Sequence, residues 1–194
     1  MNFLAHLYLA DGTTESVLGA VLGDFMRGVN RADLSDGVRR GVERHVRIDV
    51  YTDAHLVVAR SRGRVSPRCR RYAGVLVDVF YDHFLARNWH EHSDLPLSEF
   101  VADVYRRLEG CREQMPERMR VAVERMIASD WLNSYASVDG IERALSRMSL
   151  RLTRENPLAE GAEELVAGYD GFEADFRAFF PDLRDYVAGL DVSG

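Results

Sequence analysis

The sequence predicts an all-α, single-domain helical bundle of about seven to eight helices, and three observations carry that expectation. Apolar residues recur at helical spacing almost throughout the chain. No segment alternates apolar and polar residues between turn signals, as a half-buried strand would. Turn chemistry breaks the chain at Asp11-Gly12, Gly63 to Pro67, Asp94 to Pro96, Met115-Pro116 and Asn156-Pro157. A length of 194 residues suits one domain, and 46% apolar residues are ample for a core. The sequence holds no internal repeat, low-complexity tract or linker.

The breaks delimit helices at 2–10, 14–28, 36–61, 67–91, 97–109, 116–134, 138–150 and 160–188. The first, "NFLAHLYLA", sets His6 among Phe3, Leu4, Leu7 and Leu9. In the second, "ESVLGAVLGDF" puts Asp24 on the line of Val17, Ala20 and Val21. The third carries "GVERHVRIDVYTDAHLVVAR", in which Val42, Val46, Val50, Leu56 and Val57 share one side with His45, Asp49 and Asp53. The fourth starts from Ser66-Pro67, a suitable N-cap and first-turn pair. Its stretch "YAGVLVDVFYDHFL" is apolar all round, as in a helix buried on most sides; the polar exceptions are Asp78, Asp82 and His83. The fifth and sixth follow Pro96 and Met115-Pro116, and the seventh covers 138–150. The last contains "FEADFRAFFPDL", whose aromatics are assigned to the core.

Composition excludes several functions. A net charge of −6 argues against bulk nucleic-acid binding. The chain has no run of about 18 apolar residues, so no membrane span is expected. "MNFLAHLYLADGTTES" lacks the basic start of a secretory signal, and Cys69 and Cys111 form no CxxC, so the cytoplasm is the expected compartment. All 25 cationic residues are arginine. Arg60, Arg62, Arg64, Arg68, Arg70 and Arg71 fall within twelve residues that hold no acid. Such a run is either a solvated surface or a docking patch for an acidic partner, since arginine pairs bidentately with carboxylate and phosphate.

Four helices thus each bring an acid or a histidine to an apolar face. A buried carboxylate needs a cation or a metal beside it. Arg27 and Arg47 are near in sequence and offer a buried Arg–Asp network as one resolution. Asp24, His45, Asp49, Asp53, Asp78, Asp82 and His83 outnumber those cations, however, and a hard divalent ion with mixed oxygen and nitrogen ligands is the other. Carboxylates with some imidazole suit manganese or magnesium better than thiol-bound zinc. His45 and Asp49 lie one turn apart, within reach of a common ion. No GxSxG, P-loop, GxGxxG or HExxH occurs, which disfavours seryl and cysteinyl catalysis.

"MNFLAHLYLA", "LGDFMRG", "HVRIDVYTD" and "VDVFYDHFLARNW", in that order, resemble the bacterial acyl carrier protein phosphodiesterase family. "DWLNSYASVDGIERAL" and "FRAFFPDL" echo its C-terminal half. Where that family often has a second histidine shortly after the first, this chain has Tyr8. The resemblance implies a fold distantly related to the HD phosphohydrolases. It also implies a divalent-metal-dependent reaction, usually with manganese, magnesium and iron(II) being alternatives. That reaction hydrolyses the phosphodiester joining phosphopantetheine to a serine of holo-acyl carrier protein. On this reading Asp24, His45, Asp49, Asp78 and Asp82 hold the ion, with His6 and Asp53 supporting them. Asp82 or His83 moves a proton, and Arg27 or Arg47 clamps the phosphate. Acyl carrier proteins are small acidic helical bundles, so Arg60, Arg64, Arg68, Arg70 and Arg71 become a docking rim. A helical phosphohydrolase acting on a small molecule such as a nucleotide is the alternative enzyme. A non-catalytic binder of acyl carrier protein is the alternative outside catalysis.

Overall fold

The structure is a computed structural model that describes residues 1–191, and among these it contains no strand. Eleven α-helices follow one another: α1 (Phe3–Tyr8), α2 (Thr14–Leu22), α3 (Asp36–Ala54), α4 (Leu56–Arg64), α5 (Ala73–Arg87), α6 (Leu97–Gly110), α7 (Glu117–Ala128), α8 (Trp131–Ser134), α9 (Val138–Ser149), α10 (Ala162–Ala167) and α11 (Tyr169–Asp191). Among the described residues no helix is long and apolar enough to cross a membrane.

Several helices open on side-chain caps that satisfy backbone N–H groups left over at a first turn. Thr13, Ser35 and Ser137 accept from the amides of Ser16, Val38 and Gly140 at the starts of α2, α3 and α9. The expected helix 36–61 is instead two. His55 turns extended (φ −76°, ψ 131°), and its Nδ1 accepts from the Val57 amide, restarting the chain as α4. Apolar spacing continues across this break, which is why periodicity alone hides it. The inward face shifts with it: Gly41, Val42, His45, Ile48 and Thr52 are buried, while Val50 is 63% and Leu56 84% exposed. Likewise 116–134 divides at Asp130, a non-glycine residue at φ 45°. The segment 160–188 divides at Gly168. Ser66 does not cap a helix: its amide and hydroxyl both donate to the Glu164 carboxylate, and α5 begins seven residues later.

Helix α5 is the axis of the bundle. Leu76, Val77, Val79, Phe80, Tyr81, Phe84 and Leu85 are all buried on it, though Val75 is not. The aromatics of α11 close over this axis, with Phe172 edge-on to Phe80 at 5.1 Å and Phe176 edge-on to Tyr81 at 5.6 Å. Buried Asp175 locks α11 to α4 by accepting from Arg60, Ser61 and Arg64. On the other side, α2 crosses α3 at a glycine pair. A Cβ at Gly19 would stand 2.6 Å from the Val38 carbonyl oxygen and 2.7 Å from Gly41 Cα. This close approach delivers the end of α2 to the middle of α3.

Candidate metal centre

His45 sits on the buried face of α3, and its ring is fixed on several sides. Its Nδ1 donates to the Ala20 carbonyl at 2.8 Å, so Nε2 carries the lone pair in the neutral ring. Nε2 lies 3.2 Å from Asp49 Oδ2, one turn on, and 3.7 Å from Asp24 Oδ1 in the 3₁₀ turn Gly23–Phe25. The ring stacks on that of His6, with centroids 3.8 Å apart and planes inclined by 15°. His6 Nε2 in turn lies 3.1 Å from Asp49 Oδ1. One carboxylate therefore faces two imidazoles, an oxygen to each, and one ligand atom from each of His6, His45 and Asp49 falls within 4.8 Å of the others. The Met1 amine stands 3.4 Å from Asp49 Oδ1 and 3.3 Å from Asp78 Oδ1.

The electrostatics are those of a site short of positive charge. Burial pushes the His6 pKa down to about 4, leaving it neutral. Burial also opposes protonation of His45, but the facing Asp49 and Asp24 carboxylates outweigh it and raise its pKa. Asp49 is held well below the usual carboxylate range, because the two imidazoles and the Met1 amine outweigh its own desolvation. Asp24 and Asp78 are pushed up, chiefly by burial. Neither nitrogen of buried His6 has an aligned hydrogen-bond partner among the described residues, despite the nearness of Asp49. A divalent cation seated among both Nε2 atoms and Asp49 would give His6 Nε2 its partner. Two imidazoles, carboxylate oxygen and no thiol fit manganese or iron(II).

The structure gathers His6, Asp24, His45, Asp49 and Asp78, and sends the other expected site residues elsewhere. Asp82 is not turned to this cluster. It is fully buried and accepts from the amides of Leu4 (2.7 Å) and Ala5 (3.1 Å), capping α1 from α5. Burial lifts its pKa to about 7 against the pull of those two amides. His83 uses both nitrogens in the core: Nδ1 donates to the Tyr135 carbonyl and Nε2 accepts from the Tyr169 hydroxyl. Both ring nitrogens are therefore engaged within the core rather than turned to this cluster. Asp53 is exposed and pairs with Arg62 across the α3–α4 break, so it does not support the cluster. Arg27 and Arg47 are exposed and have no ion pair among the described residues. Two residues from both His45 and Asp49, Arg47 lies about 200° round α3 from each.

The arginine run also changes character. Arg60 and Arg64 serve Asp175, Arg68 pairs with Glu160, and Arg62 pairs with Asp53. The fold thus supplies acids that the local sequence lacks, and only Arg70 and Arg71 remain exposed without an ion pair among the described residues.

His6 is the residue whose place the sequence understated. A support on a separate helix becomes half of the stacked pair, and its only local signal was an imidazole on an apolar helix. Gly23 had no signal beyond its place in "LGDFMRG": a Cβ there would lie 2.3 Å from His45 Cγ.

Comparison with known proteins places the chain among the phosphodiester hydrolases. A family model described as acyl carrier protein phosphodiesterase matches residues 1–183, and the chain belongs to that family. A Klebsiella pneumoniae subsp. pneumoniae protein of that name is 36% identical over 184 residues, spanning 94% of this chain and 95% of its own length. Proteins of the same name from Enterobacter sp. (strain 638) and Escherichia coli K12 are also 36% identical over the same shares. No solved structure matches significantly.

Proposed function

We propose that this chain hydrolyses the phosphodiester linking phosphopantetheine to a serine of holo-acyl carrier protein, with a divalent cation, manganese first, held by His6, His45 and Asp49. Water adds its oxygen to phosphorus, the bond from phosphorus to the serine oxygen breaks, and that oxygen takes a proton. The products are apo-carrier protein and free phosphopantetheine. The observation that carries the reading is the family match over residues 1–183 laid over one convergence of two buried imidazoles and a carboxylate.

A divalent ion bound there supplies positive charge against the phosphoryl oxygens and acidity to water. The Ala20 carbonyl holds His45 in the tautomer that presents Nε2 to the centre. The backbone amides gripping Asp82 hold α1, and with it His6, in register with α3. Asp24 stands half-exposed on the rim, its pKa raised, placed to accept a proton at Oδ1 from the attacking water and return it to the serine oxygen. Two buried, unpaired cysteines, Cys69 and Cys111, support a reducing compartment, and we place the reaction in the cytoplasm.

The test is incubation with holo-acyl carrier protein and manganese, read by intact mass. Loss of the phosphopantetheine mass by the wild type, abolished in Asp49→Asn, is the expected result. No loss with the wild type, or full turnover by Asp49→Asn, would overturn the assignment.

A further inference from the structure

A second acid-free arginine run, "RALSRMSLRLTR" at 143–154, lies along the end of α9 and just beyond it. Arg143 and Arg147 lie one turn apart on α9, and Arg151 follows four residues on, just past its end, to complete a stripe. Unlike the run at 60–71, none of its arginines has an ion pair among the described residues. Arg147 lies over the Trp131 ring at 4.4 Å and Arg151 at 5.9 Å, and Arg147 Nη2 is buried with no hydrogen-bond partner among the described residues. Between the cations stands Leu150, 86% exposed, and Leu152 beside it is 43% exposed. The chain as a whole is acidic at −6, so this concentration of positive charge is local. Arg143, Arg147 and Leu150 line one surface depression together with Asp139 and Glu142, which precede Arg143 on α9.

The stripe reaches the helix that supplies His6. Arg147 and Arg151 share a small cavity with Phe3, which precedes His6 by one turn of α1, and Asn2 donates to the Tyr135 hydroxyl in the wall of that cavity. A partner docked on α9 therefore meets the protein beside the helix that supplies His6.

We infer that Arg143, Arg147, Arg151 and Leu150 form the docking face for an acidic helix of the carrier protein, and that the run at 60–71 does not. The inference rests on the carrier-protein reading above. Arginines one helical turn apart match acids one turn apart on a single partner helix, and the exposed leucine offers an apolar residue of that helix its contact.

Arg143→Glu/Arg151→Glu tests this while leaving the stacked Arg147 in place. With holo-carrier protein and manganese, KM at about 20 mM salt is expected to rise at least roughly tenfold, with kcat at saturation within about twofold. At about 0.5 M salt the difference falls below roughly threefold. Arg70→Glu/Arg71→Glu leaves KM within about twofold. Apo-carrier protein, which carries no scissile bond, should bind the wild type and lose at least tenfold in affinity with the stripe variant. An unchanged KM at low salt, or an equal rise in the Arg70/Arg71 variant, overturns the inference. So does stripe-dependent binding to phosphatidylglycerol vesicles with no change towards carrier protein. If the wild type fails to hydrolyse holo-carrier protein, the function proposed above falls, and apo-protein binding alone then decides for or against the stripe.

Discussion

Gly23→Ala sets two effects of opposite sign against each other. Gly23 has φ −48° and ψ −40°, an ordinary right-handed conformation that alanine adopts without strain. On backbone grounds alone the substitution should stabilise the fold by about 0.4–1 kcal/mol, by narrowing the unfolded ensemble. The new Cβ would, however, stand 2.3, 2.4 and 2.7 Å from Cγ, Cδ2 and Nδ1 of His45. Relief needs a ring displacement of roughly 1 Å. The ring has little freedom to yield, since it is stacked on His6 at 3.8 Å and tied to Ala20 at 2.8 Å. Overpacking of this kind costs about 1–3 kcal/mol, and loss of the Ala20 hydrogen bond adds about 1. The clash wins: the melting temperature should fall by roughly 3–8 °C for a chain of this length. Activity should suffer more, because a displacement of about 1 Å at a group in the centre costs on the order of 100-fold in turnover. Thermal unfolding, manganese titration and mass-detected hydrolysis of holo-carrier protein measure the three quantities. A variant that melts higher than wild type while keeping both manganese affinity and turnover would refute the clamped-ring account.

Other outcomes follow from the same geometry. Asp82 has its folded pKa raised to about 7 from 3.8, so its contribution favours folding below pH 4 and is lost as pH rises towards 7, by up to about 4 kcal/mol. Asp82→Asn should therefore gain on the wild type across pH 4–7 in denaturant titrations, and parallel stability curves would contradict the assignment. Asp175→Ala should cost about 2–3 kcal/mol, because it frees Arg60 and Arg64 from α11, while leaving kcat within about twofold. His83→Gln should lower stability by about 1–2 kcal/mol through its bonds to Tyr135 and Tyr169 yet keep turnover within about threefold. A loss approaching 100-fold there, with the fold intact, would return His83 to catalysis.

The helical class was legible because periodicity reports burial, and α5 with its apolar circumference reads directly as the bundle axis. Breaks made by a single residue were not legible. His55 and Asp130 interrupt helices without glycine or proline, the first through an extended turn and the second through a left-handed one. The inward pull of His45 and Asp49 could be read from one helix, and the structure places both at the candidate centre. Asp82 could not be assigned that way. A buried acid on an apolar helix looks the same in sequence whether its counterpart is a cation or the open amides of another helix 77 residues away. The arginines at 60–71 mislead for the same reason, since Asp175 and Glu160 reach them only through the tertiary fold.

The cap that Asp82 places on α1 also bears on the order of folding. Six residues are too few to hold a helix in water, where even good formers need about 12–15. Asn2 gives no side-chain cap of its own, so α1 depends on a carboxylate that is synthesised far later in the chain. His6 accordingly takes its position only after α5 has formed and docked. A growing chain that stops short of Asp82 holds His45 and Asp49 on α3 but lacks the anchor for the second imidazole. The centre is thus a late product of folding, closed by the same helix that forms the middle of the core.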